Sequence, residues 1–255
     1  MGDMKSTQFL SGAPLYPVVV LLVTLTLLCI HFFWGSERFY RRRIHPLLPV
    51  RDALRAQALG VYYKRLTAFF LYGMCTLLVI RYLFRDSLGN YGLSRGHGKP
   101  PLPFIGPVVV LTIMTMLFFS RREKIYHRYP EVEGARVSTG CFAGNAVSYV
   151  VYLFSYELLF RGFLLFGLKG SLGNLPAALI SMAFVTLSHV GTPFPVIIGS
   201  AFSGILFPYI VLLSGSIWPV FALHSFIGVG MDFLCARQYT RAETVSLRVS
   251  HEKTV

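Results

Sequence analysis

The chain has 255 residues, of which 54% are hydrophobic and only 14% are charged. A soluble domain carries about 25% charged residues, so this composition excludes a water-exposed globule of this size. The chain holds 24 Lys and Arg against 11 Asp and Glu, a net charge of +13. The positive residues lie in short loops between apolar runs and form no nucleic-acid-binding module. We therefore expect contact with lipid headgroups and no nucleic-acid partner.

Apolar runs recur along the whole chain. A membrane-spanning helix needs about 20 predominantly apolar residues. Seven runs meet or approach this length, at 14–34, 66–84, 103–120, 139–166, 175–192, 195–213 and 217–236. They predict an all-α, polytopic transmembrane helix bundle with seven spans, or eight if a piece near 40–60 enters the interface. The fifth and sixth runs are short and are separated only by Gly191-Thr192-Pro193, so we expect that they do not span fully.

These runs and the loop charges also predict the domain organisation. We expect an N-terminal segment over 1–13, a transmembrane domain over 14–236 and a polar, frayed tail over 237–255. With the N-terminus outside, the loops that would face the cytoplasm carry 17 Lys and Arg, against 7 on the other side. Because cytoplasmic loops are enriched in these residues, this bias predicts a cytoplasmic C-terminus.

The segment between the first two runs is strongly basic. It extends from Glu37 to Arg55 and carries six arginines with aromatic and aliphatic residues between them. Such a pattern is typical of a piece that lies along the headgroups. An ordinary solvated loop explains it equally well at this stage.

Ionisable residues are rare at membrane depth in the C-terminal half. From 139 to 236 they are Glu157, Arg161, Lys169, Asp232 and two histidines, His189 and His224. A charge at the bilayer centre costs roughly 2.5–3.5 kcal/mol on insertion scales, so each needs a partner or a wet cavity. Glu157 and Arg161 are spaced i, i+4, which on its own also suits a purely structural ion pair.

Three of these groups share a similar depth. Counted from one membrane face at about 1.5 Å per residue, Glu157, His189 and His224 lie roughly 14, 21 and 11 Å deep. They predict one shared cavity with two possible chemistries. In a metal-free centre, Glu157 and His189 activate water and His224 assists the oxyanion. In a zinc centre, the same three side chains are the ligands. The spacing of these residues does not decide between the metal-free and the zinc centre, although the His-Glu-x-x-His motif of many zinc peptidases is absent.

Three stretches carry a family resemblance. They are Tyr156-Glu157-Leu-Leu-Phe-Arg161, Phe184-Val-Thr-Leu-Ser-His189 and the run from Ser216 to His224. In this order they resemble the motifs of the CAAX-prenyl-protease and bacteriocin-processing (CPBP) family of glutamic intramembrane endopeptidases, over a catalytic core of about 140–236. The resemblance implies hydrolysis of a peptide bond near the C-terminus of a membrane-anchored or lipidated substrate, without a cofactor.

The chain departs from the family pattern at three positions. Tyr156 replaces the first, water-activating Glu, Phe184 precedes His189 by five residues instead of four, and Gly228 replaces the oxyanion-assisting Asn. The nearest polar group is Asp232, one turn further on. An aromatic residue before a single Glu is similar to a bacterial branch of the family.

That branch implies a bacterial inner-membrane enzyme in which Glu157 is the base and Arg161 orients it, with Tyr156, Gly228 and Asp232 in support. A catalytically inactive family member that acts as a membrane binding or immunity protein is the open alternative.

Overall fold

The computed structural model describes residues 15–96 and 102–252, and within these ranges it contains helices and no strand. The segment expected over 1–13 lies outside the described residues. Seven apolar helices form the described bundle: α1 (Tyr16–Trp34), α2 (Ala53–Leu83), α3 (Leu102–Phe119), α4 (Thr139–Leu172), α5 (Asn174–Ser188), α6 (Phe194–Ser214) and α7 (Trp218–Glu252).

The surface of this bundle suits lipid. Five of the helices (α1, α2, α4, α6 and α7) are long and apolar enough to cross a membrane, and the searched parts of α3 and α5 are shorter. Large apolar side chains such as Leu22, Leu66 and Phe202 are more than half exposed. Since contiguous exposed apolar surface is unusual in soluble monomers, the chain is an integral, polytopic all-α membrane protein.

The helices agree with the predicted runs at most of their ends, with four differences. α2 begins at Ala53 instead of residue 66, because Asp52 caps a polar turn there by accepting a hydrogen bond from Arg55 N at 2.7 Å. No eighth spanning helix forms over residues 35–52, where the chain makes three short helical turns. α6 has 21 residues and is long enough to span, whereas α5 has only 15. The expected frayed tail is instead a continuation of α7 to Glu252.

α4 is the central helix. In its most apolar window 78% of the residues are buried, against 22–28% in the other four long helices. Residues 155–165 are buried without interruption, which requires neighbours on every side of the helix. Over Leu158–Leu165 the helix widens to π-type turns, a distortion that often marks functional sites.

A loop over residues 85–96 closes one end of the bundle. The backbone N–H of Ile217 donates to the carbonyl of Gly92 at 2.9 Å, and Ser216 Oγ donates to the Ser94 carbonyl at 2.8 Å. Gly92 has a φ of +80°, a left-handed conformation that favours glycine. These bonds fix the loop to the start of α7, the helix that carries His224.

Candidate active site

Glu157 lies at the centre of a buried charged cluster. Its side chain is fully buried, and its Oε1 lies 2.6 Å from Nδ1 of His224 on α7. Its Oε2 lies 3.3 Å from Nε of Arg161, one turn further along α4, whose side chain is also buried. The i, i+4 pair predicted from the sequence is therefore formed. The carboxylate is enclosed between an imidazole and a guanidinium.

His224 is the member of this cluster whose side chain is partly exposed. Its side chain is 19% exposed, whereas that of Glu157 is 0% exposed. A carboxylate accepts hydrogen bonds, so the short contact assigns the proton to Nδ1 and leaves the lone pair of neutral His224 on Nε2. The ring also packs edge-on against Phe207, with 5.5 Å between ring centroids. His224 is thus oriented from two sides.

His189 reaches the same region from a different direction. It directly follows the last residue of α5, and its Nδ1 lies 2.9 Å from the Val185 carbonyl, to which it donates. Neither of its nitrogens lies within 4.0 Å of a Glu157 oxygen. Of the three predicted site residues, Glu157 and His224 are in direct contact, and His189 joins them only through Tyr156.

Tyr156 connects the two histidines. Its ring makes edge contacts with His189 and His224, at centroid distances of 6.1 and 5.7 Å. Its hydroxyl lies 2.8 Å from Ser188 Oγ, which donates to the Val185 carbonyl at 2.7 Å. Ser188 and Phe207 were not predicted. The position of Ser188 directly before His189 could have indicated it, but no sequence signal marks Phe207.

Gly228 and Asp232 lie away from this cluster. A Cβ on Gly228 would come within 3.0 Å of the Tyr149 ring, so this position brings α7 close to α4. Asp232 is buried and accepts a hydrogen bond from Asn145 Nδ2 at 2.7 Å. Asn145 in turn accepts from Arg65 at 3.0 Å, forming a second buried polar cluster. Asn145 precedes Glu157 by twelve residues, about 18 Å along α4.

The zinc alternative is not supported by the side-chain geometry. Among the described residues, no group of three or more His, Cys, Asp and Glu side chains is arranged to hold a metal ion. Glu157, His189 and His224 therefore do not converge on one point as ligands.

Fold and site together define a class of protein: a polytopic membrane protein with a Glu–His–Arg cluster buried inside its helix bundle. Residues 141–229 match the family model described as "Type II CAAX prenyl endopeptidase Rce1-like". This part of the chain is therefore similar to the Rce1-like family, and the match supports a CAAX-type intramembrane protease in general. No curated protein and no solved structure matches the chain.

Proposed function

We propose that the chain is an intramembrane endopeptidase that hydrolyses a peptide bond near the C-terminus of a membrane-anchored or lipidated protein. One observation carries this proposal: the 2.6 Å contact between Glu157 and His224 inside the region that matches the Rce1-like family. Burying an acid and an imidazole together is costly in a membrane protein and is typical of functional sites. We infer a bacterial inner membrane, with the end of α7 in the cytoplasm.

The geometry favours a different division of roles from the one expected from the sequence. Glu157 is fully buried and ion-paired with Arg161, which disfavours it as the group that meets water. We assign proton abstraction to Nε2 of His224, with Glu157 holding its Nδ1–H and Arg161 holding Glu157. The activated water attacks the substrate carbonyl carbon. His189 already donates from Nδ1 to the Val185 carbonyl, so its Nε2 can donate to the developing oxyanion only as an imidazolium.

Cleavage assays on single and double substitutions of Glu157 and His224 test these roles. His224→Ala should lower cleavage about 10²–10⁴-fold, the usual contribution of a general base. Glu157→Gln should lower cleavage to a similar extent, because it removes the carboxylate that orients His224 and fixes its tautomer. If the two residues act as a unit, the double variant should be no worse than either single variant. Glu123→Gln, at an exposed glutamate, is the matched control. The assay is mass spectrometry of C-terminal tail peptides incubated with purified, chelator-treated protein, and robust cleavage by Glu157→Gln would refute the assignment.

A catalytically inactive binding or immunity protein is the second candidate. The observation in its favour is Tyr156, which stands where the family has its first carboxylate and whose hydroxyl is already bonded to Ser188. A phenol with an ordinary pKa near 10 is a poor base at neutral pH. On this alternative the wild type cleaves none of the tail peptides, and Tyr156→Glu gains turnover. Cleavage by the wild type rules it out.

A further inference from the structure

A cavity of about 510 Å³ lies between α2, α4 and the basic segment Glu37–Arg55. This volume is within the range of roughly 300–1,000 Å³ that small-molecule sites occupy. Apart from Arg65 and Ser148, the cavity is lined by aliphatic and aromatic side chains, among them Ile44, Leu66 and Val151. Its walls therefore suit a hydrocarbon chain.

The two polar lining residues are already engaged with the protein. Arg65 donates from Nη1 to Ser148 Oγ at 2.7 Å and to the Asn145 carbonyl at 2.9 Å, and its Nη2 pairs with Glu131 at 3.3 Å. These bonds fix α2 against α4. They use both terminal nitrogens of Arg65, whereas its Nε is buried without a hydrogen-bond partner among the described residues.

The opposite wall is held by Tyr40 of the basic segment. This residue is buried, its hydroxyl donates to the Ala56 carbonyl at 3.2 Å, and its ring lies 5.5 Å from that of Tyr63. The segment is thereby attached to α2. The cavity is a preformed feature of the fold.

Positive charge flanks this wall. Arg42 and Arg43 directly precede the lining residue Ile44, and both are exposed. Neither has a carboxylate partner among the described residues, whereas Arg41 pairs with Glu37 at 2.7 Å. An anionic phospholipid has a negatively charged headgroup, which suits the unpaired arginines, and acyl chains, which suit the apolar cavity. We propose that this cavity binds one acyl chain of an anionic phospholipid, with the phosphate at Arg42 and Arg43.

Lipid titration of the purified full chain in detergent tests the proposal independently of peptidase activity. The probes are phosphatidylglycerol and phosphatidylcholine with the same acyl chains, and native mass spectrometry reads binding. Phosphatidylglycerol should bind the wild type at least tenfold more tightly. Removing each arginine should cost about fivefold for phosphatidylglycerol, so the double variant Arg42→Gln/Arg43→Gln should lose roughly 25-fold for this lipid. The loss for phosphatidylcholine should be smaller, because its choline group offsets the charge of the phosphate that the arginines contact.

A second variant tests the cavity itself. Leu66→Trp, which fills it, should weaken both lipids, whereas Leu78→Trp should not, because Leu78 is similarly exposed on α2 but does not line the cavity. Arg121→Gln is the matched charge control. Equal affinity for the two lipids, or unchanged phosphatidylglycerol binding by the double arginine variant, overturns the proposal. The arginine variants alter exposed residues only, so they decide the question even if Leu66→Trp does not fold.

Discussion

Asp232 is a buried carboxylate, and its hydrogen-bond partner Asn145 connects helices instead of contacting the Glu157–His224 site. It accepts a hydrogen bond from Asn145, which is itself bound to Arg65, so α7, α4 and α2 meet at one polar cluster. Removing one partner leaves the other buried and unsatisfied, at a cost of about 1–3 kcal/mol. Asp232→Ala should therefore lower the free energy of unfolding by about this amount and leave kcat and KM for tail peptides unchanged.

Thermal unfolding of the purified variant checks this prediction. Glu243→Ala, at an exposed acid on the same helix, is the control and should leave Tm unchanged. An Asp232→Ala protein that kept its Tm and lost cleavage would return Asp232 to the catalytic centre.

At the residue scale, the sequence indicated which ionisable residues lie in the candidate site, but it did not indicate all of the residues that they contact. The similar depths calculated for Glu157 and His224 agree with their contact in the structure, because depth along a helix follows from residue spacing. The contact of His189 with Val185 instead of Glu157 depends on where α5 ends, at Ser188, and residue spacing does not give this. Asp232 was linked to the site by its sequence distance from Gly228, yet it is eight residues beyond His224, about 12 Å along α7.

Two glycines of α6 differ in what surrounds them, and they offer a test of how His189 is positioned. A Cβ at Gly204 would lie 2.8 Å from Met182 Cγ and 3.2 Å from its Cα, whereas at Gly199 nothing lies within 4 Å. Gly204 thus permits close packing of α6 on α5, the helix that ends before His189. Gly204→Ala should destabilise the protein by about 1–3 kcal/mol and reduce cleavage, because α5 must move.

Gly199→Ala is the matched control in the same helix. Without a clash, it should stabilise by about 0.5–1 kcal/mol, since alanine favours the helix more than glycine does. The measurement is the free energy of unfolding of both variants. If Gly204→Ala were as stable as Gly199→Ala, the close approach of α5 and α6 would be irrelevant to the fold.

Glu131, in the loop between α3 and α4, links stability to acid pH. Burial alone would raise the pKa of its carboxyl, but Lys64 and Arg65 outweigh burial and lower that pKa below its usual value. A carboxyl with a depressed folded-state pKa stabilises the protein above its unfolded pKa of about 4.3. That contribution is lost as pH falls through the folded-state pKa.

The difference in Tm between wild type and Glu131→Gln should therefore be largest near pH 7 and should shrink below about pH 4. Thermal scans at both pH values measure it. Glu133→Gln, two residues away and without an ion pair among the described residues, should show no such pH dependence. A Tm difference for Glu131→Gln that stays constant down to pH 3 would contradict the assigned ion pairs.

At the element scale, hydropathy predicted the apolar cores of the helices and missed their polar extensions. The first thirteen residues of α2 and the continuation of α7 beyond residue 236 carry many polar side chains, so no apolar run marks them. Local bonds reveal them instead, such as the Asp52 cap of α2. The α-to-π change in α4 has no sequence signal, and similar π-type turns occur in the more exposed α2 over Phe69–Cys75 and Val79–Leu83.

For the whole molecule, the side on which α7 ends does not depend on how far α5 and α6 cross the membrane. α5 spans about 22 Å, less than the roughly 30 Å hydrocarbon core, and α6 returns from it through the turn at residues 189–193. Whether this hairpin crosses twice or only enters and returns, its two ends stay on the same side. The orientation of α7 therefore follows from the other helices and from the loop charges.

The bias of 17 against 7 Lys and Arg predicts that residues beyond α7 face the cytoplasm. A fluorescent-protein reporter joined after Val255 should therefore fluoresce, and alkaline phosphatase at the same position should be inactive, since these reporters work on opposite sides of the membrane. A truncation after Gly96, in the loop that carries Gly92, should give the reverse result and serves as the internal control. Active phosphatase after Val255 would invert the topology and place Arg42, Arg43 and the lipid cavity beside the outer leaflet. The helix bundle and the Glu157–His224 contact would be unaffected, because neither depends on which side is cytoplasmic.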